Sequence, residues 1–236
     1  VAQAKTRAEL LTAVRSNLDE STASFWTDTE LYNFLIRAKD KVWMEVTKLQ
    51  ENFFTRVLNS TGGSVTILGA TYATSNLGIT VGGSTLTLPG DFASLKSLEV
   101  ITSDYEWVPF YPMDMSSPTF LALRADTTQR GPTVFYYDIY GLTTLLYTPL
   151  SNTALDTRLT YVYRPADMSA SVDLDMPDPL YMAVEEYATT RAQLKDRDET
   201  SAVWQQMGNK TVVDCLNAMT RQNADPVFVR GAYEEW

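Results

Sequence analysis

Histidine is absent from all 236 residues. That absence removes Ser-His-Asp and Cys-His nucleophilic catalysis, H-E-x-x-H zinc chemistry and any imidazole-based pH switch. Cysteine occurs once, at Cys215, which excludes an intrachain disulfide and a thiolate metal cluster. Its helical spacing with Val212, Leu216 and Met219 predicts a packed thiol and not a nucleophile. No metal and no cofactor is expected. The chain carries no P-loop and no dinucleotide glycine fingerprint. Asp173-x-Asp175 opens like a calcium loop, but Pro177 takes the fifth position and Val184 the twelfth, where a liganding Glu is needed. No run approaches 18 apolar residues and the start is charged and amphipathic, so the expectation is a soluble cytosolic chain with no membrane partner. Basic residues are also short, 19 Lys and Arg against 29 Asp and Glu, giving a net charge of −10. The lack of a basic footprint argues against tight binding to nucleic-acid phosphates.

What is present is a set of strong helix signals at both ends. Thr27-Asp28-Thr29-Glu30 has the capping-box pattern, with Trp26 and Leu31 as a hydrophobic staple around it. Leu31, Phe34, Leu35, Ala38, Val42, Val46 and Leu49 then form one apolar stripe, which predicts a helix of about six turns with Lys39 and its charged neighbours on other faces. Thr6-Arg7-Ala8-Glu9 repeats the capping spacing and predicts a shorter helix over 6–20. Near the other end, Asp178-Pro179 reads as cap and first helical position, followed by the stripe Leu180, Ala183, Val184, Tyr187, Ala188 and Leu194. Asp196 to Glu199 is expected to interrupt it before helical spacing resumes to about Gln222.

Between these ends the period changes from helical to alternating. Leu77 to Leu88 predicts a hairpin turning at Gly82-Gly83, with Ile79 opposite Leu86 and Leu77 opposite Leu88. Further strands are predicted at 97–102, 133–140, 143–147 and 158–163. Pro109 to Pro132 is too long for a tight turn, and is either a short helix around Ser117 to Leu123 or a binding loop. The fold class that follows is α+β, a discontinuous helical bundle from the N- and C-terminal segments with an inserted antiparallel β-sandwich or barrel domain. Its expected divisions are 1–56 with 175–222 for the bundle, 57–174 for the β domain, and 223–236 for a C-terminal tail. That tail holds Val227, Phe228, Val229, Tyr233 and Trp236, more apolar surface than a free tail keeps.

Enzymatic chemistry would have to rest on carboxylates, as in a cell-wall glycosidase with two acids about 5 to 10 Å apart. The candidates are Asp173, Asp175 and Asp178, or Glu185 and Glu186. Adjacent Glu185 and Glu186 diverge by about 100° on a helix and make a poor pair; Asp178 already serves as a helix cap. A non-enzyme is therefore expected. The remaining alternative is a tail-associated receptor- or carbohydrate-binding module that offers Tyr136, Tyr137 and Tyr140 as stacking surface, although alternating strand tyrosines also serve as core.

The order of these segments resembles the head-to-tail adaptor, or connector, proteins of tailed bacteriophages. The resemblance runs from about residue 6 to 220. It rests on Phe25-Trp26-Thr27-Asp28-Thr29-Glu30-Leu31-Tyr32 at the second helix, Leu88-Pro89-Gly90-Asp91-Phe92 and Gly131-Pro132-Thr133 in the β region, and Leu145-Leu146-Tyr147-Thr148-Pro149. Tyr161-Val162-Tyr163-Arg164-Pro165 closes the strands, and Pro177-Asp178-Pro179-Leu180 leads to Ala183-Val184 and Tyr187-Ala188. The resemblance implies a structural virion protein of the phage neck, assembled in the host bacterial cytoplasm. It further implies a homo-oligomeric ring, usually of twelve copies, between the portal protein and the tail or nozzle proteins, through which double-stranded DNA passes without specific binding. On that footing Val227, Phe228, Val229, Tyr233 and Trp236 are portal or neighbouring-subunit contacts, with folding back onto the chain's own helices as the alternative.

Overall fold

A computed structural model describes residues 6–20, 25–68, 70–101, 106–126, 134–151, 153–168, 174–196 and 201–224. In chain order the elements are helices α1 (Arg7–Asn17) and α2 (Asp28–Gln50), then strands β1 (Thr55–Asn59), β2 (Ser64–Ile67), β3 (Ala70–Ala73), β4 (Thr85–Thr87), β5 (Phe92–Ile101) and β6 (Trp107–Pro112). Helix α3 (Pro118–Ala125) follows, then β7 (Phe135–Tyr140), β8 (Thr144–Thr148), β9 (Thr157–Tyr163), α4 (Leu180–Asp196) and α5 (Ser201–Ala224). The fold is α+β. Two compact units divide the chain, one formed by Val1–Phe53 with Pro165–Trp236 and the other by Phe54–Arg164.

In the helical unit both N-terminal helices start on complete capping boxes. The Thr27 hydroxyl accepts the Glu30 amide at 3.2 Å while the Glu30 carboxylate accepts the Thr27 amide at 3.4 Å, so two amides that lack helical partners are satisfied reciprocally. Helix α2 buries Leu31, Leu35, Ala38, Val42 and Val46 along one stripe. Two residues depart from the expected pattern. Leu49, assigned to the stripe, is exposed, and Lys39, assigned to a solvent face, has no accessible surface. The Lys39 ammonium donates to the Pro165 carbonyl at 3.1 Å and pairs with Asp40 at 3.3 Å and, more closely, with Asp167. Helix α4 packs against α1, α2 and α5; a helix covered on several sides needs little polar face. It starts at Leu180, slightly later than Asp178-Pro179 implies, and the Asp178 backbone carbonyl accepts the Tyr181 amide at 3.1 Å.

The other unit is built on a seven-stranded sheet in the order β1-β9-β5-β6-β7-β8-β4, with β2 and β3 paired as a separate ribbon. Its core runs through Leu58, Leu86, Phe110, Phe135, Leu145, Tyr147, Leu159 and Tyr161, and Ile67 of the ribbon joins it. Strands β1, β2, β3 and β6 were not among those the sequence predicts. The predicted hairpin does not form. The turn is real, since the Gly83 amide donates to Thr80 O at 3.0 Å and Gly82 has φ +68°. Among Val81, Gly82 and Gly83 only Gly82 has positive φ, a type II pattern whose twist splays flanking strands, unlike a primed turn. Ile79 accordingly bridges Leu155, and Leu86 lies opposite Leu145. Nor is the sheet wholly antiparallel, because β6 and β7 run parallel with Tyr111 opposite Tyr136. A parallel pair needs a crossover of a dozen or more residues. That need explains the long Pro109 to Pro132 stretch, where Ser117 caps α3 by accepting the Phe120 amide at 3.2 Å.

Candidate interaction surfaces

Asp175 and Asp178 are exposed, and Asp173 lies outside the described residues. Glu186 is buried in α4 and its Oε2 has no hydrogen-bond partner. Burial pushes its carboxyl above the usual range, a hydrogen bond from Thr211 opposes the rise and the neighbouring Glu185 adds to it. Cys215 is partly buried, and its thiol approaches the Pro179 carbonyl at 3.0 Å. Burial, with the charges of Asp214 and Glu186, pushes that thiol up, the opposite of an activated thiolate. Among the described residues no group of three or more His, Cys, Asp and Glu side chains could hold a metal ion. No helix among them is long and apolar enough to cross a membrane.

The tyrosines of β7 do not form one platform. Tyr137 packs against the core, while Tyr140 is exposed at the strand's end. Tyr136 pairs across the sheet with Tyr111, ring centres 6.4 Å apart at 49°. Alternation along the strand sends Tyr136 and Tyr137 to opposite faces, so flat stacking on all three is excluded.

A cleft of about 150 Å³ opens on the helical unit, lined by Lys41 of α2, by Tyr187, Thr190, Arg191 and Leu194 of α4, and by Gln205 of α5. The four α4 residues follow the three- and four-residue spacing of one helix face, on which Thr190 and Arg191 join Tyr187 and Leu194 of the predicted stripe. The Lys41 ammonium lies 5.7 Å from the Tyr187 ring centre, and the Tyr187 hydroxyl donates to Asn209 at 2.5 Å. Gly208 sets how closely α5 approaches this ring, because an added Cβ would stand 3.1 Å from two of its carbons. Gly208→Ala is therefore expected to destabilise the chain by about 1–2 kcal/mol through overpacking, read as a lower urea midpoint. An unchanged midpoint would show that α5 can shift without cost.

Glu186 gives a pH dependence of known sign. With the folded carboxyl raised above its unfolded value, the unfolded chain ionises first as pH rises. Stability then falls from the ordinary glutamate range upward until the raised folded value is passed. Glu186→Gln is expected to remove that loss, with a gain on the order of 1 kcal/mol at about pH 8 and little change at about pH 4. Denaturation midpoints at the two pH values check this; an equal effect at both would assign the change to packing.

Residues 5–230 match the family described as SU10 adaptor protein. The chain belongs to the SU10 adaptor protein family. This is a family of structural phage head-to-tail adaptors. No curated protein matches the chain.

In this SU10 adaptor three of the segments that carried the resemblance are joints of the fold, and Gly131-Pro132-Thr133 lies outside the described residues. Trp26 is buried, and the Arg15 guanidinium donates to its carbonyl at 2.9 Å and to Asp28 at 2.6 Å, while Glu20 accepts from Arg15 at 3.2 Å. These bonds lock the start of α2 to the end of α1. Asp91 of the Leu88-Pro89-Gly90-Asp91-Phe92 segment accepts the hydroxyl of Tyr161, from the closing Tyr161 to Pro165 segment, at 2.9 Å. Phe92 stacks on the same ring, centres 5.8 Å apart. Large apolar side chains are exposed at Phe25, within these segments, and outside them at Leu194 of α4 and Val203, Met207 and Val213 of α5. The expected contacts Val227, Phe228, Val229, Tyr233 and Trp236 lie outside the described residues.

Proposed function

We propose that the chain is a subunit of a twelve-membered ring that joins the portal protein at the capsid vertex to the tail or nozzle proteins, and that the ring frames the channel through which DNA leaves the capsid. The observation that carries this reading is the family match over residues 5–230. The charge of −10 supports it, because like charge opposes the counterion-releasing contacts that would make DNA stick. In this reading helices from both ends of the chain act as one bundle, the segment between them is an inserted sandwich- or barrel-like domain, and 223–236 is a docking tail. Val227, Phe228, Val229, Tyr233 and Trp236 would then meet the portal or the neighbouring subunit, and assembly would take place in the host bacterial cytoplasm. Quantitative mass spectrometry of purified virions tests it, with the portal protein as internal standard. A copy number equal to the portal's is expected; absence from the virion, or presence at a small fraction of that number, would overturn the ring.

A further inference from the structure

The cleft between α2, α4 and α5 combines cationic, aromatic and aliphatic side chains. In a chain with ten excess negative charges, its lining holds two cations, Lys41 and Arg191, and no carboxylate. Lys41 is shared with Glu45 at 3.3 Å. Arg191 makes no ion pair with any described residue. Between the cations stand an aromatic ring, Tyr187, an exposed aliphatic side chain, Leu194, and the amide of Gln205. A volume of about 150 Å³ falls below the roughly 300–1,000 Å³ of small-molecule pockets and suits one or two side chains of a peptide. The ligand class that fits is a short peptide in which an aromatic residue is flanked by carboxylates.

The same chain carries such a peptide. We infer that the cleft receives Tyr233-Glu234-Glu235-Trp236 of its own chain. An aromatic ring enters beside Tyr187 and Leu194, and Glu234 and Glu235 pair with Lys41 and Arg191. Chain length permits it. Gln205 lies 19 residues before Ala224, the last residue of α5, or ~28 Å back along the helix at 1.5 Å per residue. Tyr233 lies nine residues beyond Ala224, a reach of ~30 Å when extended. A tail that doubles back along α5 therefore brings its acidic-aromatic end level with the cleft. On the way it passes Val213, which is exposed and ~16 Å back from Ala224 at 1.5 Å per residue, a distance that Val229, five residues beyond Ala224, just spans when extended. This contact lies within one chain and is that of the free subunit; in the ring proposed above the same tail leaves the cleft to meet the portal or the neighbouring subunit.

Cysteine cross-linking of the full chain tests it. In a Cys215→Ala background, Gln205→Cys is combined with Glu235→Cys, and Ser16→Cys with Glu235→Cys serves as the exposed control on α1. The 205–235 pair is expected to close under mild oxidation at least tenfold faster than the control, to give a product of monomer mass. Adding Lys41→Glu and Arg191→Glu is expected to abolish that advantage, and Glu234→Lys in the reversed cleft to restore at least part of it. A 205–235 rate equal to the control overturns the site. A product of dimer mass overturns the intrachain contact and gives the cleft to a second copy. A rate indifferent to the charge reversals, in variants whose circular dichroism matches the parent, overturns the ion-pair basis.

Discussion

Asp91→Ala is expected to destabilise the chain by about 3 kcal/mol. Asp91 is buried, and both of its carboxylate oxygens are engaged. Oδ1 accepts the Tyr161 hydroxyl at 2.9 Å and Oδ2 accepts Nη1 of Arg56 at 2.5 Å. Its backbone carbonyl accepts the Arg164 amide at 2.8 Å, so the residue ties β1, the entrance of β5 and the exit of β9 together. Truncation leaves the hydroxyl of a fully buried tyrosine dry and removes the counter-charge of a guanidinium that lies 4.4 Å over the Tyr163 ring. The Arg56 side chain is 29 % exposed and can recover some hydration, which places the expectation at the low end of the roughly 3–5 kcal/mol for a broken buried pair. Asp91→Asn keeps an acceptor for Tyr161 and is expected to lose about half as much. Urea unfolding gives the totals, and amide exchange should accelerate first in β5 and β9. A loss below about 1 kcal/mol for Asp91→Ala would mean that the network contributes nothing beyond ordinary surface polarity.

The parts of this fold that could be read from the sequence are those decided within four residues. Thr6 with Glu9 and Thr27 with Glu30 fix their helix starts by contacts three positions apart, and the distant Lys195 pairs with Oε1 of Glu30 while Oε2 serves the Thr27 amide. Ser117 before Pro118 marks α3 for the same reason. Tertiary partners decided the rest. Gly82-Gly83 supplies a turn, but Ile79 goes to Leu155 and Leu86 to Leu145, and no local pattern distinguishes those partners from the nearer ones. Lys39 occupies a position that the charge pattern assigns to solvent. It is buried because the chain leaving β9 presents the Pro165 carbonyl more than a hundred residues later. The tail residues that drew attention as contacts stand out by composition, whereas the cleft required three helices to be brought together before Lys41, Arg191 and Gln205 became neighbours. Family motifs were legible for a related reason. Asp91, Trp26 and Tyr161 are restricted by the fold itself, so they mark the architecture.

Lys39→Met is the second large effect, an expected loss of about 2–3 kcal/mol. Methionine has nearly the length and volume of the lysine stem and keeps the packing inside α2. The substitution therefore isolates the ammonium. The native Nζ donates to the carbonyls of Pro165, at 3.1 Å, and Ala166, at 3.5 Å, and pairs with the carboxylates of Asp40, at 3.3 Å, and Asp167. Both carboxylates retain solvent access and can rehydrate, but Pro165 is buried, so its carbonyl bears most of the penalty of an unmade bond. A compensating gain comes from no longer burying a charge, which keeps the net loss below that of Asp91→Ala. The local signature should differ as well, with faster amide exchange in α2 and at Met168 rather than in the strands. Lys39→Ala adds a cavity to the same polar loss and is expected to cost about 1–2 kcal/mol more than Lys39→Met. If Lys39→Met instead matches or exceeds the parent in urea, the buried ammonium is a cost that the fold carries, and the return of the chain to α2 is held by apolar contacts alone.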